Sequence, residues 1–451
     1  MRFPIARLLT AAAVALGGLA AVASPAAALS QDPGPETWMV NGKIHASVQY
    51  GDVMFIGGTF QKLREVLPPA AASGPQVTGL TGLAAIDMTT GAGIASFTPQ
   101  LATSGTQTLD VQSLAIVGDT LYVGGQFSSV DGQPRLNLAA IDIDPSSLTG
   151  TVDPGFDPVV GDPGGNLAAF EVLKILPGPD AVYISGAFGT VDGKGRSKVA
   201  KLSYDGVVDG TFKPGSTSGA VRDIEWSADG ATIFASGNFS TLSGATRLAV
   251  GRLDATTGVA TGWAVPGGQI PSSGGKQICW DIVVTATRVF AGCGKGPNFI
   301  GAFRVDTGDA GSRTWQYGTG GNVVAIALLG DGDSIAFGGH LGINSHSSYN
   351  GLMRVCSNSR YLRALGVLRN INQTSTSSVV TSGAASSSTA YLDCSFTPNF
   401  EGQDPDGPNF AGTNPFGGVW EIQVTGQHIW ALGEFKYVNA DVRRAIARFD
   451  V

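Results

Sequence analysis

The chain has 451 residues, a formal net charge of −7 and only 14% charged residues. This acidic balance argues against a nucleic-acid-binding protein, because such proteins need a basic face. The 65 glycines follow no Gly-X-Y period, which excludes collagen. They lie instead at turn-like places between short apolar runs.

The first 28 residues have the pattern of a secretory signal peptide. Arg2 and Arg7 flank the start of an apolar run at 8–23, and the small residues 26–28 form a cleavage site. The apolar run is short for a membrane span, and no later segment is long enough to be one. We therefore expect a secreted protein that consists of residues 29–451 and has no membrane span.

One sequence pattern recurs seven times after this segment, at a period of about fifty to sixty residues. Each copy has two short apolar runs around a tight turn, as in "SLAIVGDTLYVGG" at 113–125, which is typical of a β-hairpin. A third apolar run follows, and a fourth holds an aromatic residue. The second run ends in a Gly–Phe unit at 57–60, 124–127, 185–188, 236–239 and 432–435, with altered copies at 292–294 and 338–340.

Four short strands repeated seven times predict an all-β fold, a single seven-bladed β-propeller of four-stranded antiparallel blades at 29–451. One such sheet has two apolar faces, and neighbouring blades in a ring cover both. The seventh copy lacks a fourth run, and the segment around Trp38, "ETWMVNGKI", is the candidate replacement. We therefore expect this N-terminal strand to pair with the strand at 445–450 of the C-terminal blade and close the ring.

The third copy resembles the delta-60 repeat propellers, a bacterial family of unknown function. The match runs over 186–215, and the copy at 125–158 follows it closely, whereas copies five and six depart most. The residues that carry the resemblance are Gly186, Phe188, Gly193, Arg196, Ala200, Leu202, Asp205, Gly206, Asp209, Phe212 and Pro214. The resemblance implies a propeller fold over nearly the whole mature chain and implies no catalytic residue.

Charged residues also recur with the repeat. Arg135, Arg196, Arg247 and Arg443 precede the third run in four copies, and Asp223, Asp281 and Glu421 begin the first run in three. Because buried charges are normally paired, we expect the arginines to pair with the carboxylates. The alternative is a set of acidic residues that line a central channel and hold a cation.

Three insertions interrupt the repeat, at 61–80, 357–393 and 399–418. The first and third should lie on one face, because the loop after the second strand and the link to the next blade share a face. Irregular loops of this kind often carry function. The candidate binding residues on this face are His45, His340, His346, Glu401, Asp404, Asp406, Phe410, Phe416 and Glu434.

The chemistry of these candidates leaves two classes of function open. We favour a binding or scaffold module that recognises an extracellular or cell-envelope glycan or protein, and we expect a monomer. The alternative is a propeller enzyme on the same face, either a carbohydrate-active hydrolase or lyase or a metal-dependent oxidase. No cofactor is firmly implied. The stretch "DPDGPN" at 404–409 makes calcium possible, although it lacks the terminal Glu of an EF-hand loop.

Four cysteines in an exported chain predict two disulfides. Cys279 and Cys293 should face each other across the hairpin of the fifth copy. Cys356 and Cys394 should link the third and fourth strands of the sixth copy across the polar insertion. Adjacent strands lie within disulfide reach of each other.

Overall fold

The structure is a computed structural model that describes most of residues 29–451. It describes residues 30, 37–65, 74–161, 171–272, 274, 276–305, 308, 310–319, 321–339, 341, 365–372, 391–393, 396, 400–401, 418–426, 428–435, 437–438, 441–442 and 445–450. Within these residues every regular element is a β-strand, as the repeat pattern predicts. This part of the chain includes no helix with the length and apolar character to cross a membrane.

The larger strands form seven antiparallel sheets, which we number in chain order. Sheet one contains Ile44–Tyr50, Val53–Gly58 and Leu83–Asp87, and sheet two contains Asp110–Val117, Thr120–Gln126, Leu138–Asp144 and Thr149–Val152. Sheet three contains Val172–Pro177, Ala181–Gly186 and Val199–Ser203, and sheet four contains Val221–Trp226, Thr232–Gly237 and Val250–Asp254. Sheet five contains Ile278–Val284, Arg288–Gly294, Phe299–Arg304 and Arg313–Gly318. Sheet six contains Val323–Leu328, Ser334–Gly339, Leu365–Arg369 and Tyr391–Leu392, and sheet seven contains Gly418–Thr425, His428–Glu434 and Ile446–Asp450.

Five smaller ladders accompany these sheets. Met39–Val40, Lys62–Arg64 and Gln76–Thr78 form the first, and Leu101–Ala102, Ser129–Val130 and Gln133–Pro134 form the second. Val160–Gly161, Thr190–Val191 and Lys194–Gly195 form the third, and Thr241–Leu242 and Ala245–Thr246 form the fourth. Phe400–Glu401, Tyr437–Val438 and Asp441–Val442 form the fifth.

The first two strands of each sheet form the hairpin that the apolar runs predict. In sheet two the strands meet at Gly118, whose φ of 60° favours glycine. Second strands are buried on both faces, as the pattern of Val53–Gly58 shows, so each sheet is covered on both sides. The phenylalanines of the Gly–Phe units are buried as well: Phe60, Phe127, Phe188, Phe239 and Phe435.

The sheets pack on one another in chain order. The first strand of each sheet contacts the first strand of the next, and the first strand of sheet seven contacts that of sheet one. Seven apolar clusters follow the same order, each built from two consecutive sheets. The cluster that joins sheets seven and one includes Trp430, Leu432, Ile44 and Ile56. The apolar core is therefore divided between neighbouring sheets.

The expected four strands are complete in only three sheets of the described chain, namely two, five and six. In sheets one, three and four the fourth run makes a single bridge to the third strand, at Ile86–Gly93, Leu202–Val208 and Leu253–Ala260. This run lies at the outer edge of its sheet and contains prolines such as Pro99 and Pro214. Proline has no N–H to donate to a ladder, so the strand cannot continue regularly through these positions.

The pairing expected for the N-terminal strand requires a correction. Met39 and Val40 pair with Arg64 and Leu63, beside sheet one, and do not join the strand Ile446–Asp450. The last strand is reached instead by residue 30, whose N–H donates to the carbonyl oxygen of Asp450 at 3.1 Å.

The disulfide expected in the fifth copy is confirmed. Cys279 and Cys293 are bonded and face each other on the first two strands of sheet five. Cys293 stands where the other copies have the glycine of the Gly–Phe unit, which explains why this unit is altered. Cys356 and Cys394 lie outside the described residues, as does most of the insertion between them.

Candidate binding site at the first strands

Every first strand carries a β-bulge at the same place. In sheet two, for example, the pairing with the second strand shifts between Val111 and Ser113, so that Gln112 is the extra residue. The extra residue always stands opposite the end of the second strand. The seven bulge residues, in chain order, are His45, Gln112, Leu173, Arg222, Trp280, Val324 and Trp420.

The glycine of the repeat allows the bulge to form. A Cβ atom at Gly125 would collide with the carbonyl oxygen of Asp110, and one at Gly186 would collide with that of Glu171. A residue without a side chain therefore suits the position opposite the bulge, although Cys293 occupies it in sheet five. The corresponding glycines of four other sheets meet a first-strand or preceding carbonyl in the same way: Gly58, Gly237, Gly339 and Gly433.

All seven bulge residues line one cavity of about 410 Å³, which we call the first-strand cavity. Its volume falls within the range of roughly 300–1,000 Å³ that is typical of small-ligand sites. The bulge residues of sheets five to seven give it an apolar wall of Trp280, Val324 and Trp420. Those of sheets one and two, His45 and Gln112, give it a polar wall.

Hydrogen bonds hold the polar wall in place. His45 Nδ1 lies 2.9 Å from Asp110 Oδ1, and Gln112 Nε2 donates to Asp110 Oδ2 at 2.7 Å. Asp110 begins the first strand of sheet two, so this carboxylate links the bulges of sheets one and two. An imidazole fixed through Nδ1 keeps Nε2 for another partner.

An ion pair lies beside Trp420. Lys43 Nζ is 2.9 Å from Glu434 Oε2 and 5.8 Å from the centroid of the Trp420 ring. The His45 ring meets the same indole edge-on, with the ring centroids 5.8 Å apart. Trp420 therefore brings together His45 and Glu434, two of the candidate residues.

Arg222 provides a cation on the opposite side of the cavity. Its guanidinium lies 6.0 Å from the centroid of the Trp280 ring, and its buried Nε has no hydrogen-bond partner among the described residues. Burial lowers the pKa of Arg222, and the nearby Glu171 opposes this shift. Burial likewise raises the pKa of Glu171.

The residues that follow the bulges join neighbouring sheets. Lys174 Nζ lies 2.8 Å from Asp223 Oδ1. The N–H of Ile282 donates to Asp223 Oδ2 at 2.9 Å, and that of Ile326 donates to Asp281 Oδ2 at 2.6 Å. These carboxylates therefore accept main-chain hydrogen bonds from the next sheet in the chain.

Glu421 makes the corresponding link between sheets seven and one. The Ser47 hydroxyl donates to its Oε1 at 3.0 Å. Burial raises the pKa of Glu421 to about 7, although the charge of Lys174 and the Ser47 hydrogen bond oppose the shift. Burial and the neighbouring Asp223 also raise the pKa of Asp281 well above its ordinary value.

The expected pairing of periodic arginines with periodic carboxylates is wrong for Arg135, Arg196 and Arg247, whereas Arg443 lies outside the described residues. Asp223, Asp281 and Glu421 face the cavity, as the alternative interpretation required. Within the described ranges, however, no three Asp, Glu, His or Cys side chains form a group that could hold a metal ion. The arginines bond to carbonyl oxygens of the fourth run instead, as Arg135 does to Asp153 and Arg196 does to Asp209. A guanidinium can satisfy several carbonyls that the short fourth strand leaves without a ladder partner.

Most of the other candidate residues lie outside the part of the chain that the structure describes. His340, His346, Asp404, Asp406, Phe410 and Phe416 lie outside the described residues. Glu401 is described only as part of the short strand Phe400–Glu401, which pairs with Tyr437–Val438. The possible calcium loop at 404–409 is likewise outside the described part of the chain.

Sequence reasoning overlooked Gln112, Arg222, Trp280 and Trp420 as a group. The available signal was a position that keeps its place in every repeat while its residue type changes from copy to copy. A scaffold position tends to keep its residue type, as the glycine does. The changing position just before "SLAIVG", "DIEW" and "DIVV" therefore marked the side chains that face the cavity.

Comparison with known proteins agrees with the repeat. Among curated proteins, none matches this chain. The crystal structure of the computationally designed Ika8 protein is similar to 93% of this chain and 100% of its own, at 12% identity and a TM-score of 0.45. The family described as "Domain of unknown function (DUF5122) beta-propeller" matches residues 181–212. These residues include the Gly–Phe unit of sheet three and are similar to a repeat of this β-propeller family.

Proposed function

We propose that the protein is an exported binding module built on a closed ring of seven blades. The cyclic order of contacts between first strands supports the ring, as does the apolar cluster between sheets seven and one. The disulfide Cys279–Cys293 supports export, because such bonds persist in oxidising compartments. The signal-peptide pattern of residues 1–28 points the same way.

The binding site of this module is the mouth of the first-strand cavity. The observation that carries the proposal is the convergence of seven different bulge side chains on one cavity. The seven bulge residues share one backbone position but differ in side chain. One site can therefore combine the apolar wall, the polar wall and the cation of Arg222. Few convergent polar groups beside an apolar wall are typical of ligand sites. We infer an extracellular or cell-envelope glycan as the ligand class and a monomeric protein.

The test is binding of the purified protein to an array of extracellular and cell-envelope glycans. We expect Trp280→Ala to abolish binding to the glycans that the wild type binds. Trp226→Ala is the matched control, because Trp226 packs on Tyr183 at the other end of a first strand and does not line the cavity. Thermal melting should verify that each variant is folded. Binding that survives Trp280→Ala, or a wild type that binds no glycan, contradicts the proposal.

One observation favours an enzyme as the second candidate. The 2.9 Å contact between His45 Nδ1 and Asp110 Oδ1 resembles a general base oriented by a carboxylate. Release of sugar fragments from a bound glycan, lost in His45→Ala while binding is retained, would support this candidate over a binding module.

A further inference from the structure

We propose that the first-strand cavity recognises a sugar residue that carries a carboxylate. The carboxylate binds Arg222, and the sugar ring packs on the wall of Trp280, Val324 and Trp420. This inference rests on the proposed binding function and names the class of ligand that the site selects.

Arg222 is the group in the cavity that is suited to bind an anion. Its buried Nε has no hydrogen-bond partner among the described residues, and the carboxylate that acts on its charge is Glu171, whose own pKa burial raises. Its guanidinium carbon lies 6.0 Å from the centroid of the Trp280 ring, a contact that uses none of its N–H donors. A planar guanidinium with donors to spare is suited to a carboxylate, which it can bind with two parallel hydrogen bonds.

The charged residues that follow the bulge residues along the first strands do not prevent an anion from entering the cavity. Lys174 Nζ lies within 3.0 Å of both Asp223 and Glu225, so it offsets one of these two charges, and burial raises the pKa of Glu225. Burial and the neighbouring Asp223 raise the pKa of Asp281 well above its ordinary value, which favours its neutral form. Lys43 already pairs with Glu434, and this leaves Arg222 as the cation that a ligand carboxylate can reach in the described part of the cavity.

The apolar wall favours a sugar ring as the rest of the ligand. Trp280, Val324 and Trp420 come from three consecutive sheets and line the same cavity. The C–H bonds of a pyranose face carry partial positive charge, and the face of an indole ring is negative. Two tryptophans on one wall suit such a face. Arg222 belongs to the sheet next to that of Trp280, which places the carboxylate at one edge of the ring.

The polar wall supplies partners for hydroxyl groups. His45 and Gln112 are both anchored by Asp110, at 2.9 and 2.7 Å. Side chains fixed in this way lose little conformational freedom on binding, which favours specific recognition. An aliphatic acid or a peptide C-terminus would use Arg222 but would leave most of these polar groups without a partner.

The test compares acidic oligosaccharides with their carboxyl-reduced counterparts. Tetrasaccharides of polygalacturonate and of hyaluronan are titrated into the full mature protein, and tryptophan fluorescence and calorimetry report binding. We expect at least one acidic probe to bind about 10- to 100-fold more tightly than its reduced form, the range that a hydrogen-bonded charge contributes. Arg222→Met should remove this difference. Lys213→Met is the matched control, because it deletes one exposed positive charge away from the cavity and should keep the preference.

Equal binding of acidic and reduced probes to the wild type overturns the inference, even if Arg222→Met does not fold. If the acidic and reduced probes bind equally but their binding still depends on Trp280, the proposed binding function stands and only the acidic-sugar inference fails. A wild type that ignores every glycan but binds a peptide through its C-terminal carboxylate overturns both proposals. Arg222→Lys, which keeps the charge and loses the planar fork, should show an intermediate preference.

Discussion

Glu421 links the chemistry of a single residue to the stability of the whole fold. Burial raises the pKa of its carboxyl to about 7, whereas the unfolded chain has an ordinary value near 4.5. The folded state therefore holds the proton more tightly than the unfolded state between these values. Consequently, the Glu421 contribution to the free energy of unfolding falls as pH rises from about 5 to about 8.

We expect Glu421→Gln to remove this part of the pH dependence. The amide oxygen can still accept the hydrogen bond from Ser47, and position 421 no longer carries a negative charge at high pH. The variant should match the wild type at pH 5 and exceed its free energy of unfolding by about 1–2 kcal/mol at pH 8, a value reduced for the access of water to the cavity. Urea unfolding at several pH values measures this. Asp52→Asn, at an exposed turn, is the control, and parallel curves for wild type and Glu421→Gln would contradict the argument.

At the scale of the strand, the glycine of the Gly–Phe unit leaves room for the backbone of the bulge opposite it. Gly186→Ala places a methyl group on the carbonyl oxygen of Glu171, and neither strand can move without disturbing Leu173 and the next sheet. We expect a loss of about 1–3 kcal/mol in the free energy of unfolding, as for other overpacked sites.

Gly195→Ala is the matched control for this substitution. It lies in the same repeat, its φ is not positive, and no heavy atom beyond its chain neighbours lies within 4 Å of the added Cβ. Urea unfolding should show an unchanged or slightly raised midpoint for this variant. Equal midpoints for Gly186→Ala and the wild type would show that the close approach is not a constraint.

The strands were predictable because alternating apolar runs and Gly-Asp turns are local signals. The hairpin of sheet two and the disulfide of sheet five follow from them directly. The bulges were not predictable in the same way, because a bulge is a relation between two strands. Arg222 and Trp280 reach the cavity only because one extra residue changes which face a side chain takes.

At the scale of the whole molecule, the role of the N-terminal segment depends on comparison between repeats. Short strands in the links to sheets two, three and seven pair with the loop after the second strand of the sheet that follows, as Leu101–Ala102 does with Ser129–Val130. Met39–Val40 pairs with Lys62–Arg64 in the same manner. It therefore occupies the position of a link from sheet seven to sheet one. The sequence indicated that the seventh copy lacks a fourth strand. It did not show that the segment after Trp38 pairs beside sheet one instead.

This equivalence predicts that residues 29–42 hold the first and last sheets together. Deleting them removes the link strand, the hydrogen bond from residue 30 to Asp450, and Trp38, which packs on the cluster that contains Trp430. The freed edge of Ile446–Asp450 would then be open to pairing with other chains.

We expect the 43–451 protein to aggregate or to melt at a lower temperature with a broader transition than the 29–451 protein. Scanning calorimetry with size-exclusion chromatography measures both effects, and Trp38→Ala should give a smaller loss of the same kind. Identical, equally cooperative melting of the two proteins would show that sheets one and seven are held by their own contacts alone.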